Sequence, residues 1–157
     1  MKLPTAEIKE IIPSSAVKAF DLLHDYERRL EWDTLLQKAY LEDEFPRACK
    51  GAISVCQGRN FLGGFALRTQ YVSFERGKVA AVKMLNHPPF FETFAASIRH
   101  SEIGENQSEI VYKVNFTTKP KFLRWLLNPV IKAILVWETR KRLTGLKHLL
   151  TKNSVRS

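Results

Sequence analysis

The stretch LNPVIKAILVWETRKRL, residues 127–143, changes character near its midpoint. Between residues 130 and 137 only Lys132 is charged, whereas residues 140–142 are three consecutive cations. This pattern allows either a membrane anchor with a cationic flank or a helix that covers the interior of the protein. A helix that spans a bilayer needs about 20 predominantly apolar residues, and this run is far shorter. The sequence therefore predicts an internal helix.

The residues around this stretch predict the bounds and the surface of the helix. Asn128 followed by Pro129 resembles a capping residue with proline at the first helical position. We expect the helix to run from there to about Leu150, after a short helical turn at 121–127. Of the 16 residues from 122 to 137, 12 are apolar, which is more than one buried face requires. The surplus could pack against other helices, line a cavity, or meet a second subunit or a membrane.

The first part of the chain predicts a strand followed by two short helices. Residues 6–12 are rich in isoleucine and stop at Pro13, which is typical of a short strand. Ser14 or Ser15 can cap the helix that follows. A second short helix is expected around 25–31.

Six later segments have the length and composition of strands. They are residues 38–44, 51–59, 65–75, 78–86, 90–100 and 108–118. The last segment alternates apolar and polar residues from Ile110 to Phe116, as in a sheet with one buried face. Strands joined by short loops form an antiparallel meander, and only the long helix is large enough to cover its apolar face. The sequence therefore predicts an α+β fold.

The positive charge is concentrated at the C-terminal end. The net charge is +9, and from residue 119 onward there are ten Lys or Arg residues and one acid, Glu138. These cations could attract an anionic membrane surface, or they could simply complement the helix dipole and solvate the surface. Nucleic-acid binding is not predicted, because Trp125 and Trp137 lie in the apolar stretch rather than between cations.

Composition and motifs narrow the class of protein. The length of 157 residues favours a single domain, 1–157. The first ten residues lack the apolar region of a secretory signal, so we expect a cytoplasmic protein whose Cys49 and Cys56 are free thiols. There is no GxSxG, HExxH or phosphate-binding glycine loop, and the four histidines show no metal spacing. We therefore predict no catalytic residue, metal or cofactor.

Three segments in order carry a resemblance to a known family: residues 8–36 (IKEIIPSSAVKAFDLLHDYERRLEWDTLL), 87–91 (HPPFF) and 143–150 (LTGLKHLL). Over about residues 4–150 the chain resembles the polyketide cyclase/dehydrase and lipid transport family of the START/Bet v 1-like (SRPBCC) superfamily. The resemblance implies a helix-grip fold, in which a seven-stranded antiparallel sheet wraps around a long C-terminal helix and two short helices follow the first strand. It also implies a hydrophobic cavity between sheet and helix.

The resemblance implies binding of a hydrophobic small molecule such as a lipid, isoprenoid or polyketide. Two alternatives remain open at this point: a cyclase or aromatase without a metal, and a module that brings the basic helix to a membrane or a protein partner. Both a monomer and a homodimer are compatible with the sequence.

Candidate ligand-binding residues follow from their positions in the predicted elements. They are Trp32, Leu36, Phe65, Phe91, Tyr112, Val114, Phe116, Leu127, Ile131, Ile134 and Leu135. Small residues on the strands would leave volume beneath the helix for a ligand. Four charged residues could orient the polar part of a ligand if they face inward, namely Arg68, Lys83, Arg99 and Glu138. Most of the four are expected on the outer face, because an unpaired buried charge is costly, and the strand pattern leaves open which of them point inward.

Overall fold

The computed structural model describes residues 5–42, 45–59 and 64–156. Its elements, in chain order, are β1 (Thr5–Ile12), α1 (Ala16–Leu23), α2 (Arg29–Trp32), β2 (Leu36–Leu41), β3 (Ile53–Gly58), β4 (Ala66–Glu75), β5 (Val79–Met84), β6 (Phe91–Gly104), β7 (Gln107–Thr118), a 3-10 helix (Lys121–Leu123) and α3 (Arg124–Arg156). The predicted order of one strand, two short helices, six strands and a long helix is confirmed. The predicted strand ends at residues 43 and 44 lie outside the described residues.

The seven strands form one antiparallel sheet in the order β1-β7-β6-β5-β4-β3-β2. Consecutive strands are neighbours except at the edge, where β1 pairs with β7. The β4–β5 and β6–β7 pairs contain register shifts, which are β-bulges or similar irregularities, and such interruptions bend the strands that carry them. The sheet therefore curves into a half-barrel, and the predicted helix-grip fold is confirmed.

The core lies where α3 and the two short helices meet the apolar face of the sheet. Leu143, Leu146 and Leu150 of α3 are buried in one cluster with Ile110 and Val114 of β7. Burial of apolar side chains is the main favourable contribution to this packing. The second half of α3 thus covers the sheet, and its leucines form the narrow apolar stripe that is typical of a helix with one buried face.

Helix capping at the start of α1 agrees with the sequence pattern. The Ser15 hydroxyl, rather than that of Ser14, accepts a hydrogen bond from the Lys18 amide at 3.2 Å. Ser14 is instead buried, and its hydroxyl donates to the Ser15 carbonyl. Of the two possible caps, the structure therefore uses Ser15.

The predicted start of α3 at Pro129, after a cap at Asn128, is five residues too late. The helix begins at Arg124, and Pro129 lies inside it. Asn128 does not cap the helix, because its side-chain oxygen accepts a hydrogen bond from the Thr118 hydroxyl at 2.6 Å. Arg124 also donates to the Thr118 carbonyl at 2.6 Å. These contacts with β7 stabilise the additional helical turn that begins at Arg124. At its other end the helix continues past the predicted Leu150 to Arg156.

Close packing between α2 and α3 depends on Gly145. A Cβ atom at this position would overlap the backbone carbonyl oxygen of Trp32. The glycine therefore lets the backbones of the two helices approach each other more closely than any other residue would allow.

We predict that Gly145→Ala destabilises the protein by about 1–3 kcal/mol, the usual cost of overpacking a core. Helix propensity alone would change stability in the opposite direction, since alanine is favoured over glycine by about 1 kcal/mol. Chemical denaturation measures the sign. The matched control is Thr144→Ala at the exposed neighbouring position, which should change stability little. A stabilised Gly145→Ala variant would contradict the proposed close contact.

Candidate functional site

A cavity of about 210 Å³ lies between the sheet and α3. An apolar cavity of about 150 Å³ already takes up benzene, so this volume accommodates a small apolar molecule. Much of the wall is apolar and comes from α1, α3 and the strands: Leu23, Leu36, Ala66, Leu67, Val82, Phe94, Ile98 and Leu135.

One part of the wall, which we call the aromatic rim, comes from two loops and the strand starts beside them. It consists of Phe65, Pro88, Pro89 and Phe91. In an antiparallel sheet the loop before β4 and the loop before β6 lie at the same end, which explains why these residues converge. Phe65 is 46% exposed, so the rim is where the cavity wall meets solvent.

Another part, the charged wall, consists of Arg29 on α2 and Glu138 and Arg142 on α3. Behind it lies Asp33, which is completely buried. The Asp33 carboxylate accepts a hydrogen bond from Arg29 Nε at 3.0 Å and lies 3.2 Å from Arg142 Nε. The charged wall is therefore built around one buried carboxylate that two arginines share.

The charged residues differ in how well they are satisfied. The Arg29 guanidinium, besides its bond to Asp33, lies 4.7 Å above the Trp32 ring. Arg142 Nε has no hydrogen-bond partner among the described residues, and the 3.7 Å between Arg142 and Glu138 Oε2 is an ion pair rather than a hydrogen bond. Burial raises the pKa of Glu138, against the opposing effect of Arg142. The Arg142 end of the wall thus retains unused donors.

A second polar group in the wall is a chain of hydrogen bonds between aromatic side chains. His24 Nδ1 and the Tyr71 hydroxyl are 2.7 Å apart, and the Tyr71 and Tyr26 hydroxyls are 2.9 Å apart. Burial raises the pKa of Tyr26 to about 12, which keeps this hydroxyl protonated. The chain can hold its rings in place, and it offers hydroxyl groups to a bound molecule.

Five of the predicted site residues line the cavity, namely Leu36, Phe65, Phe91, Tyr112 and Leu135. The other six do not line it: Trp32, Val114, Phe116, Leu127, Ile131 and Ile134. For these six the structure shows a position away from the cavity wall, and ligand binding by any of the eleven residues stays a prediction.

The six corrected residues lie elsewhere for two physical reasons. Trp32, Val114 and Phe116 are buried in the hydrophobic core and are not among the side chains that line the cavity. On α3 the difference arises from rotation about the helix axis. Ile131 is half-buried against the core and Leu127 is also half-buried, whereas Ile134 is 43% exposed on the outer face.

The charged candidates on the strands face outward as expected, because Lys83 and Arg99 are exposed and Arg68 pairs with Glu42. Of the four, only Glu138 lines the cavity. Arg29 and Arg142 were missed as site residues. A signal for them exists in the sequence, since Arg29 stands four residues before Asp33 and Arg142 four residues after Glu138, and i, i+4 pairs share one helical face.

Two buried histidines lie close to the cavity and are held in the neutral form. Their rings are 6.4 Å apart in a cluster with Phe20. His24 Nε2 and both ring nitrogens of His100 lack a partner among the described residues. Burial lowers the pKa of His24 well below its ordinary value, and it lowers the pKa of His100 to about 4.

We predict that stability falls as the pH decreases below about 6.5, the ordinary histidine pKa. Below that value the unfolded chain binds protons that the folded histidines cannot accept, at about 1.4 kcal/mol per pH unit for each histidine. The loss levels off only below the folded-state pKa values. His100→Leu should reduce this slope in urea denaturation series, whereas the exposed control His148→Leu should not. An unchanged slope in His100→Leu would contradict the prediction.

Comparison with known proteins shows what this chain is similar to. It matches the solved structure of a START superfamily protein from Mycobacterium smegmatis with a TM-score of 0.76 and 8% identity, over 94% of this chain and 97% of that one. The ZhuI aromatase/cyclase from Streptomyces sp. R1128 gives a TM-score of 0.78 and 11% identity, over 98% and 96% of the two chains. A search of the curated proteins found no match.

A third solved structure, that of a protein from Thermus thermophilus, gives a TM-score of 0.77 and 13% identity, over 96% of this chain and 99% of that one. At such low identities these structures show the fold alone. Among the described residues, no three His, Cys, Asp or Glu side chains are grouped so that they could hold a metal ion. A family model, polyketide cyclase / dehydrase and lipid transport, matches residues 5–151, and the chain therefore belongs to that family.

Proposed function

We propose that this protein binds a hydrophobic small molecule, such as a lipid, isoprenoid or polyketide, in the cavity between the sheet and α3. The observation that carries this proposal is the cavity itself, whose wall is largely apolar and opens at the aromatic rim. Apolar cavities with a few convergent polar groups are the usual form of small-molecule sites. Membership of a family described by both polyketide cyclisation and lipid transport supports the same class of ligand.

Filling the cavity should weaken ligand binding without disturbing the surface. We predict that Val82→Phe, which adds volume at the cavity wall, weakens the uptake of a fluorescent fatty acid by about tenfold or more, since it replaces more than about 1.4 kcal/mol of ligand contact. Fluorescence titration measures the affinity. The control is Val72→Phe, the same change at an exposed position of β4. Equal binding by both variants would place the fatty acid outside this cavity.

The alternative of a cyclase-type enzyme is tested with the same complex. A cyclase/dehydrase would release its ligand lighter by one water after ring closure and dehydration, whereas a binding protein returns the ligand unchanged. The cavity residue suited to exchange a proton with a ligand is Glu138, whose pKa is raised by burial. Mass spectrometry of a polyketide-like chain before and after incubation decides between the two, with Glu138→Gln as the variant that should lose any conversion.

A second candidate function is peripheral attachment to an anionic membrane. Its basis is the exposed apolar face, which we define as Phe122, Trp125, Leu126, Val130, Ile134 and Trp137. Phe122 and Trp125 are each 76% exposed, so the surplus apolar surface predicted from the sequence faces outward. None of the described helices is long and apolar enough to cross a membrane. The face is therefore suited to lie on a bilayer surface rather than to span it.

Charge favours a membrane over a second copy of the chain as the partner of this face. Lys121, Lys132, Arg140 and Lys141 are exposed along the same segment, and Lys141 Nζ lies 5.0 Å from the centre of the Trp137 ring. Each cation near an anionic surface contributes about 1 kcal/mol. Two copies facing each other would instead bring like charges together.

We predict that the protein sediments with vesicles that contain phosphatidylserine and not with pure phosphatidylcholine, and that salt weakens the attachment. Replacing both Phe122 and Trp125 by Ala should reduce vesicle binding by about tenfold or more, because apolar burial is lost. The control is Tyr40→Ala, a similarly exposed aromatic residue on β2. Equal sedimentation with both vesicles would contradict the proposal, and a dimer abolished by the double variant would identify a second copy instead.

A further inference from the structure

Arg142 lines the cavity without satisfying all of its hydrogen-bond donors. Its Nε atom is buried and forms an ion pair with the Asp33 carboxylate at 3.2 Å, but it makes no hydrogen bond to the described residues. Tyr112 lines the same cavity as Arg142 and Arg29, and its hydroxyl is a further polar group of the wall. A buried donor that finds no acceptor costs about 1–3 kcal/mol. An acceptor on a bound molecule would remove this cost.

The charges around Arg142 indicate what kind of acceptor fits. Arg142 and Arg29 share the single carboxylate of Asp33, at 3.2 and 3.0 Å. The remaining acid, Glu138, lies beyond hydrogen-bond distance of Arg142 at 3.7 Å, and its pKa is raised by burial. Of the two carboxylates, only that of Asp33 lies within hydrogen-bond distance of the two guanidinium groups. A carboxylate on a ligand would supply a further acceptor, because a guanidinium can bind both carboxylate oxygens at once.

The rest of the wall accepts an apolar chain and offers little to a second charge. Phe91 and Phe94 meet edge to face at 5.7 Å, beside Leu135, Ile98 and the prolines of the aromatic rim. Resting on the proposed function, we infer that the ligand is an amphiphile with one carboxylate head, which binds Arg142 and Tyr112, and an apolar tail that lies along the remaining wall.

Three ligands with the same tail and different heads test this inference: decanoate, methyl decanoate and decane. Displacement of the neutral dye Nile red measures their affinities for the wild-type protein. Decanoate should bind about 10- to 100-fold more tightly than methyl decanoate, the range expected for hydrogen bonds to a charged group. Comparable affinities for all three ligands would overturn the carboxylate head and leave the proposed function intact. Failure of all three to displace the dye would overturn the proposed function itself.

Variants locate the head group. Arg142→Gln should remove the preference for decanoate over methyl decanoate while the methyl ester binds as before. The control is Arg140→Gln, an exposed cation on the same helix, which should keep the preference. Tyr112→Phe removes one hydroxyl only and should reduce the preference by a smaller factor. If Arg142→Gln fails to fold, the Tyr112→Phe variant and the wild-type ligand series still test the carboxylate head. An unchanged preference in Tyr112→Phe would exclude that hydroxyl as a contact.

Discussion

The buried carboxylate of Asp33 is the constraint on which the arrangement of helices and cavity depends. A carboxylate removed from water must be compensated by cations, because its desolvation is costly. The two cations come from different elements, Arg29 from α2 and Arg142 from α3. Compensation of the Asp33 charge therefore joins α2 to α3. The absence of a side chain at Gly145 lets the backbones of these helices come close enough for both arginines to reach the carboxylate. Because both arginines also face the cavity, the same junction introduces charge into a largely apolar space.

The long helix α3 serves two environments along its length. Its inner side contributes Leu135, Glu138 and Arg142 to the cavity and leucines to the core. The outer side of its first half exposes Trp125 and its neighbours, with cations beside them. A helix with one buried face does not need this composition. Ligand binding inside and membrane attachment outside would together use both sides of the helix.

Much of the fold could be predicted because its signals are local. Strand length, the alternation from Ile110 to Phe116 and a serine cap before α1, at Ser14 or Ser15, follow from local sequence, and the structure has all three with Ser15 as the cap. The start of α3 was missed because Asn128 bonds to Thr118, a contact with another element that no local pattern contains. The residues that line the cavity could be predicted only in part for the same reason. Leu36 and Leu135 line it, whereas Trp32 and Phe116, equally apolar, do not.

The sequence by itself determined the class of fold, the order of its elements, the excess of apolar surface on the terminal helix and the location of the positive charge. Periodicity and composition carry that information, since they depend on neighbours along the chain. Only the tertiary structure decided which side of α3 carries the surplus apolar surface, which apolar residues line the cavity, and which charged residues meet in its wall. Those outcomes depend on the curvature of the sheet and the rotation of α3 above it, which bring Arg142 from a distant part of the chain to the local pair of Arg29 and Asp33.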